Sequence, residues 1–369
     1  MSLGASVFVS SVLKSLQPFP PATSVSSLPF DARAAFIAGQ AKSGTTLLVA
    51  LLDGHPELLA LPEETAYFPT VLTKYGRRSR REQFDYLTRQ SLARLLFGGA
   101  CRWGRRDAAY AEFPRAELLA RFEELAFHPD NARRDLLALL LEAYADTLGR
   151  PLDSVHRWLE KTPANRDHLR AIHARFPAAK VLLTVRDPRA IFAARIALEK
   201  TRRTRRFSAW LCVAHWRATA RLALQQEEEN AADPATATAR RLLVVPYERL
   251  VADPAAWLAR VCEFLEVAAD PLTVAALLTP TKAGLPWTGN SASEAAFDAV
   301  TTEPVTRWRH ALTRDEIGWI EWHCRDLMPR LGYQPLLPRR ALRHWWRPAR
   351  GETPREYLKS RWQSLRQRI

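Results

Sequence analysis

Gly39-Gln40-Ala41-Lys42-Ser43-Gly44-Thr45-Thr46 constrains the fold of this chain more than any other stretch. Its glycines have the spacing of a loop that curls around a phosphate, because glycine lets successive backbone N–H groups turn inward. The flanking residues agree with this. Ala34-Ala35-Phe36-Ile37-Ala38 is a short apolar run ending at Gly39 and reads as a buried strand. Thr45 to Asp53 reads as a helix, with Leu47, Leu48, Leu51 and Leu52 apolar and Gly54 at the C′ position. The N–H groups of a helix's first turn lack intrahelical acceptors, so a glycine loop feeding such a helix is a ready anion site. A nucleoside triphosphatase carries Lys directly after the second glycine, then Ser or Thr for magnesium. Here Thr45 follows Gly44, and the lysine of the loop is Lys42. A 5′-phosphate can still be held, but the usual lysine for the β- and γ-phosphates is missing.

Downstream, short apolar runs alternate with helical patterns. Trp158-Leu159-Glu160 leads into Lys161-Thr162-Pro163 as a strand end or turn, and Asn165 to Phe176 reads as a helix. Val181 to Val185 and Leu242 to Val245 are strands, while Ile191 to Leu198 and Phe207 to Leu224 are helical. Helical spacing fills most of Arg81 to Leu148, interrupted by Gly98, Gly99, Gly104, Pro114 and Pro129. This alternation predicts an α/β fold with a mostly parallel sheet covered on both faces. Ligands of such sheets bind beyond the carboxyl ends of the strands. Gly39–Thr46, Lys161–Pro163 and Arg186–Arg189 all lie at such ends and are expected to share one crevice.

Apolar residues make up 47% of the 369, enough for a large core, and the net charge of +15 points to an anionic partner. Half of that excess sits in one place: from Arg339 onward there are ten Lys or Arg against two Glu, +8 in all. Cys101, Cys212, Cys262 and Cys324 are far apart with no CxxC pair, so buried free thiols are expected rather than a zinc site or a disulfide framework. No run reaches the ~18 apolar residues of a membrane span. Val7 to Leu13 lacks the basic start and cleavage site of a signal peptide, so a cytoplasmic location is expected. Residues 1–32, with Pro18, Pro20, Pro21 and Pro29, read as a loose leader; 33–335 as the folded domain; 336–369 as a basic tail.

The Lys42-Ser43-Gly44-Thr45-Thr46 loop resembles the phosphosulfate loop of the sulfotransferases that use 3′-phosphoadenosine 5′-phosphosulfate (PAPS). Further segments resemble that family in the same order. They are Gly54-His55-Pro56, Glu64-Thr65-Ala66-Tyr67-Phe68, Glu160-Lys161-Thr162-Pro163-Ala164-Asn165, Phe176-Pro177-Ala178-Ala179-Lys180 through Arg186-Asp187-Pro188-Arg189-Ala190, and Tyr247-Glu248-Arg249-Leu250 with Asp253-Pro254 and Phe264-Leu265. The resemblance implies a P-loop NTPase-like three-layer sandwich, with residues 76–150 as a helical insertion on the acceptor side. It also implies metal-independent transfer of a sulfuryl group from PAPS to a hydroxyl or amine, releasing 3′-phosphoadenosine 5′-phosphate (PAP).

By the same resemblance, Lys42 and the amides of Ser43, Gly44, Thr45 and Thr46 hold the 5′-phosphosulfate, and Lys42 stabilises the departing oxygen. Arg186 takes the 3′-phosphate, for which a planar guanidinium is well shaped; the plainer alternative is an ion pair with Asp187. The family's supporting serine eight residues later is Ala194 here, leaving Arg195 or a shifted hydroxyl to compensate. Glu64 is the candidate general base, ahead of Glu63, with helix capping as the alternative for either one. Lys161 is placed near the sulfuryl group or acceptor, with a salt bridge to Glu160 or Asp187 as the alternative. Asn290 and Ser291, after Gly289, resemble a late cofactor-contacting loop. His55 and His168 read as structural.

In the tail, Thr353-Pro354-Arg355-Glu356 is a capping-box start, and Leu358, Trp362, Leu365 and Ile369 recur at helical spacing among arginines. Such a helix either lies on an anionic membrane surface or packs on protein. The acceptor class stays open among small molecules, lipids, glycans and peptide tyrosine. Two rival functions make sequence demands of their own. A phosphate-loop kinase requires a lysine after Gly44. A nucleic-acid binder requires basic residues interleaved with exposed aromatics and leaves the loop unexplained, so no nucleic acid is expected.

Overall fold

In a computed structural model, residues 27–99, 110, 112–202, 208–232, 241–287 and 300–338 are described. A five-stranded sheet contains β1 (Ala34–Gly39), β2 (Leu58–Ala60), β3 (Arg157–Lys161), β4 (Lys180–Val185) and β5 (Leu242–Pro246) in the order β2-β3-β1-β4-β5. All four pairings are parallel. Parallel neighbours need long crossovers, and helices supply them.

These are α1 (Thr45–Leu52), α2 (Arg80–Arg89), α3 (Arg115–Phe127), α4 (Leu136–Thr147), α5 (Leu169–Arg175), α6 (Pro188–Arg202), α7 (Ala209–Ala232), α8 (Tyr247–Ala252), α9 (Pro254–Leu265) and α10 (Pro271–Ala276). A two-stranded hairpin, β6 (Thr281–Lys282) and β7 (Leu285–Pro286), and α11 (Glu303–Thr306), α12 (Trp308–Ala311) and α13 (Arg314–Cys324) follow.

Why β1 is an unbroken apolar run follows from its position at the centre. Its even residues Ala34, Phe36 and Ala38 pack with Phe84, Phe122 and Leu139 of α2, α3 and α4 on one face. Its odd residues Ala35 and Ile37 pack with Leu48 and Leu51 of α1 and Phe264 of α9 on the other. Both faces are therefore dry, as a parallel strand requires. Phe36 anchors the first face, with ring centroids 5.6 Å from Phe68 and 5.7 Å from both Trp158 and Phe176. Such pairs add about 0.5–1.5 kcal/mol each beyond the area they bury. A third cluster joins α6, α7 and α13 through Phe192, Trp216 and Ile320. The architecture is thus the expected three-layer α/β sandwich, with the helical region of α2 to α4 inserted before β3.

Several local expectations change. Gly54 does not close α1 in a left-handed turn: the helix ends at Leu52, and Asp53 stays right-handed. Asp53 is turned to the hairpin instead, where its carboxylate accepts from Thr281 Oγ1 at 2.8 Å and from the Gly284 amide at 2.9 Å. The helix read from Asn165 begins as a 3₁₀ turn over Pro163–Asp167, and α5 starts only at Leu169. Asn165 and Arg166 are buried in that turn, which serves the site rather than the helix. The edge strand β2 had no clear signal, being three residues long. Asn290, Ser291, Cys101, most of the leader and the tail from 339 lie outside the described residues. Among the described residues, no helix is long and apolar enough to cross a membrane.

Candidate functional site

Four strand ends meet above the sheet. The chain leaves β1 for neighbours on opposite sides, β3 on one and β4 on the other, which opens a crevice at their carboxyl ends. The register aligns Ile37 with Lys161 and Gly39 with Thr184. Consequently the phosphate loop after β1, Thr162 after β3, Arg186 after β4 and Tyr247 after β5 occupy the same rim.

Both glycines of the loop are sterically required. Gly39 has φ 151°, and a Cβ there would fall 2.3 Å from Thr184 Oγ1. Gly44, at φ 101°, caps α1, and its Cβ would fall 2.4 Å from Cδ2 of Tyr247. Lys42 also takes a left-handed conformation, φ 81°. For a residue with a side chain this costs about 1–3 kcal/mol, so the surrounding contacts must hold it. Ser43 helps: its buried Oγ lies 2.6 Å from both the Gln40 carbonyl and Thr184 Oγ1. Its hydroxyl is therefore committed to the loop, and so is its amide, which donates to the Gln40 carbonyl at 3.0 Å. Thr45 is buried in the first turn of α1 and Thr46 is half-buried.

Arg186 meets this loop directly. Its Nη1 donates to the Lys42 carbonyl at 3.0 Å and its Nη2 to the Pro304 carbonyl at 2.7 Å. The guanidinium carbon lies 4.0 Å from the Tyr247 ring centroid, and the Arg186 carbonyl accepts from Trp216 Nε1 at 2.9 Å. Nε of Arg186 is buried with no hydrogen-bond partner among the described residues. The alternative pairing with Asp187 is not made. That carboxylate instead accepts from Arg189 Nε at 3.0 Å and Nη2 at 2.7 Å.

Glu64 and Lys161 form an ion pair of 2.7 Å, Lys161 being almost fully buried and Glu64 partly open. This replaces both alternatives for Lys161, the pairs with Glu160 and Asp187. The adjacent Glu63 points elsewhere: it is buried, accepts from the Tyr110 hydroxyl at 2.9 Å and is ion-paired with Lys282. Glu160 is fully buried and ties the two segments together. It accepts from the Thr65 amide (3.2 Å), Thr65 Oγ1 (2.8 Å), Thr162 Oγ1 (2.6 Å) and Asn165 Nδ2 (2.8 Å). Burial pushes its carboxyl upward, and these bonds oppose that shift. Thr162 Oγ1 in turn accepts from the Ala66 amide at 3.1 Å. Ala66 is left-handed, φ 51°, and opens a π-helical turn over Tyr67–Leu72. Extra-residue turns of this kind often sit beside functional sites.

Other groups line the back of the loop. Arg166 donates from Nη1 to the Gly39 carbonyl at 2.8 Å, and Gln40 donates to the Cys212 carbonyl at 2.8 Å. Burial lowers His215 to about 4, with Arg166 and Arg195 adding repulsion. Burial also raises Cys212 to about 12, so it is an inert thiol. His55 is a packing residue, with Nε2 2.8 Å from the Ala268 carbonyl and Nδ1 accepting from the Glu57 amide at 3.0 Å. Burial lowers His168.

The structure thus brings together Lys42, Ser43, Gly44, Thr45, Thr46 and Arg186 around the phosphate loop, with Glu64 and Lys161 paired on the β3 side. It adds Glu160, Arg166, Trp216 and Tyr247, to which the sequence assigned no role. Glu160 and Tyr247 stood within family-like segments; Arg166 and Trp216 carried no separate signal.

A parallel sheet with a glycine turn after its central strand, a facing arginine and a carboxylate–lysine pair at the strand ends is the arrangement of a candidate group-transfer site. Residues 34–271 match the model of the sulfotransferase family, and the chain belongs to that family. The protein-tyrosine sulfotransferase of Drosophila melanogaster is 26% identical over 239 residues, covering 63% of this chain and 38% of the fly protein. Protein-tyrosine sulfotransferase A of Caenorhabditis elegans is 24% identical over 301 residues, 81% of this chain and 67% of the worm protein. The solved sulfotransferase domain of the Synechococcus PCC 7002 olefin synthase aligns over 83% of this chain and 95% of that domain, at 20% identity and a TM-score of 0.48.

Proposed function

We propose that this protein transfers the sulfuryl group of PAPS to a hydroxyl or amine acceptor and releases PAP. One observation carries the reading: Arg186 reaches the main chain of Lys42, so a cationic fork and a glycine-turned phosphate loop share one crevice. That spacing suits an adenosine nucleotide with two separate phosphates. Family membership supports PAPS as donor, since PAPS-dependent sulfuryl transfer is the general reaction of sulfotransferases.

In this reading the loop amides and Lys42 hold the 5′-phosphosulfate, and Arg186 takes the 3′-phosphate with the remaining N–H groups of its fork. Tyr247 keeps the guanidinium flat and in place. The acceptor oxygen or nitrogen attacks sulfur in line, and the bond between sulfur and the bridging oxygen breaks. Its electron pair stays on PAP, where Lys42 offsets the growing negative charge. Glu64 takes the proton of the acceptor, and Lys161 holds that carboxylate in position. A sulfuryl group carries less charge than a γ-phosphoryl group, so lysine and amide donors suffice without a bridging cation. Glu63, committed to Tyr110 and Lys282, is the weaker base. The helical insertion of residues 76–150 is assigned to the acceptor side. The names of the fly and worm relatives support a hydroxyl acceptor, phenolic ones included.

Thermal denaturation tests this reading. PAP at ~100 times its Kd adds about 2.7 kcal/mol to stability, and ATP with magnesium is expected to add much less. Stabilisation by ATP–magnesium but not by PAP overturns the assignment and favours a phosphotransferase.

A further inference from the structure

The family match ends at residue 271, yet part of the shell that fixes Arg186 comes from later residues. Pro304 accepts from Arg186 Nη2. The peptide amide after Arg186, that of Asp187, donates to Glu248 Oε1 at 2.9 Å. The other oxygen of Glu248 accepts from the Tyr333 hydroxyl at 2.9 Å. Burial pushes both Glu248 and Tyr333 upward, so the hydrogen bond between them offsets part of the cost of burying each.

A second tie runs in parallel. Arg189, two residues beyond Asp187, grips the Asp187 carboxylate and donates from Nη1 to Glu321 of α13 at 2.7 Å. It also donates to the Gln334 carbonyl at 3.1 Å and lies 4.1 Å from the Trp308 ring centroid. Glu321 is wholly buried and accepts from the amides of Leu336 (2.7 Å) and Leu337 (2.9 Å). Residues 333–337 are thereby strapped at both ends to the turn that carries Arg186.

We propose that Tyr333, through Glu248, and Glu321, through Arg189, are positioning residues for Arg186, and that this strap sets the selectivity of the site for a 3′-phosphorylated nucleotide. The proposal rests on Arg186 being the 3′-phosphate ligand. Neither Tyr333 nor Glu321 is placed against substrate. Without the Tyr333 hydroxyl, Glu248 loses a donor in a buried setting and its hold on the Asp187 amide slackens. Arg186 then keeps its charge but loses its aim.

The test compares PAP with adenosine 5′-phosphosulfate, which lacks the 3′-phosphate, by titration calorimetry on the full chain. In Tyr333→Phe, PAP affinity is expected to fall about tenfold, the scale of one hydrogen bond to a charged group, while adenosine 5′-phosphosulfate binds within twofold of wild type. Glu321→Gln keeps the shape and is expected to show the same selective loss, giving a second reading should Tyr333→Phe fold poorly. Equal weakening of both nucleotides assigns a general structural role and overturns the proposal, as does unchanged PAP affinity in a folded variant. Wild-type protein with no preference for PAP over adenosine 5′-phosphosulfate overturns the 3′-phosphate role of Arg186 itself.

Discussion

Lys42→Met is expected to lower kcat/KM by about 10²–10³, the loss seen when a preorganised donor to a developing negative charge is removed. The geometry separates this chemical role from nucleotide binding. Arg186 touches the main-chain carbonyl of Lys42, not its side chain, so the bond persists in the variant. Methionine keeps the stem volume and faces the same left-handed backbone penalty, so folding stability should change by no more than about 0.5 kcal/mol. PAPS affinity should drop far less than the rate, because in PAPS the bridging oxygen is still bonded to sulfur and carries little of the charge that Lys42 offsets as PAP leaves. Single-turnover transfer from PAPS, with PAPS binding measured alongside, checks both halves. A variant that loses binding and rate equally would return Lys42 to simple phosphate recognition.

Glu64→Gln is the second large expected effect, a fall in kcat of about 10²–10⁴ if its carboxylate receives the acceptor proton. The partner makes the variant informative. Lys161 is almost fully buried against Glu64, so the amide leaves an ammonium with a weaker acceptor and stability falls by about 1–3 kcal/mol. Lys161→Met should relieve part of that cost in the double variant while activity stays lost, since paired residues do not add. Glu63→Gln should behave differently, loosening Lys282 and Tyr110 with only a modest loss of rate. A Glu63 variant as inactive as the Glu64 variant would exchange their roles.

What could be read from residues alone follows from how local each signal was. The strand Ala34–Gly39, its loop and α1 were legible because a buried parallel strand, a glycine turn and an apolar helix each leave a mark within a few residues. Lys42 and Arg186 were legible as family-like residues, but their meeting depends on the β1–β4 register, which no local pattern encodes. Glu160 was visible only as part of a segment. Its four donors come from Thr65, Thr162 and Asn165, and the link to Thr65 exists only after β3 pairs beside β1. Gly54 misled because a glycine after a helix usually closes it, whereas here the Asp53 side chain is held by the hairpin 228 and 231 residues later in the chain. The split between Glu63 and Glu64 is likewise decided by partners distant in sequence, Lys282 and Lys161.

The most direct measurement is a crystal structure of the protein with PAP. The 5′-phosphate should lie against the amides of Gly44 to Thr46 and the 3′-phosphate on the Arg186 guanidinium, with Glu64 and Lys161 facing the open side of the 5′-phosphate. PAP bound with its 3′-phosphate turned away from Arg186, or seated outside the crevice between β1 and β4, would contradict a site built for a doubly phosphorylated adenosine.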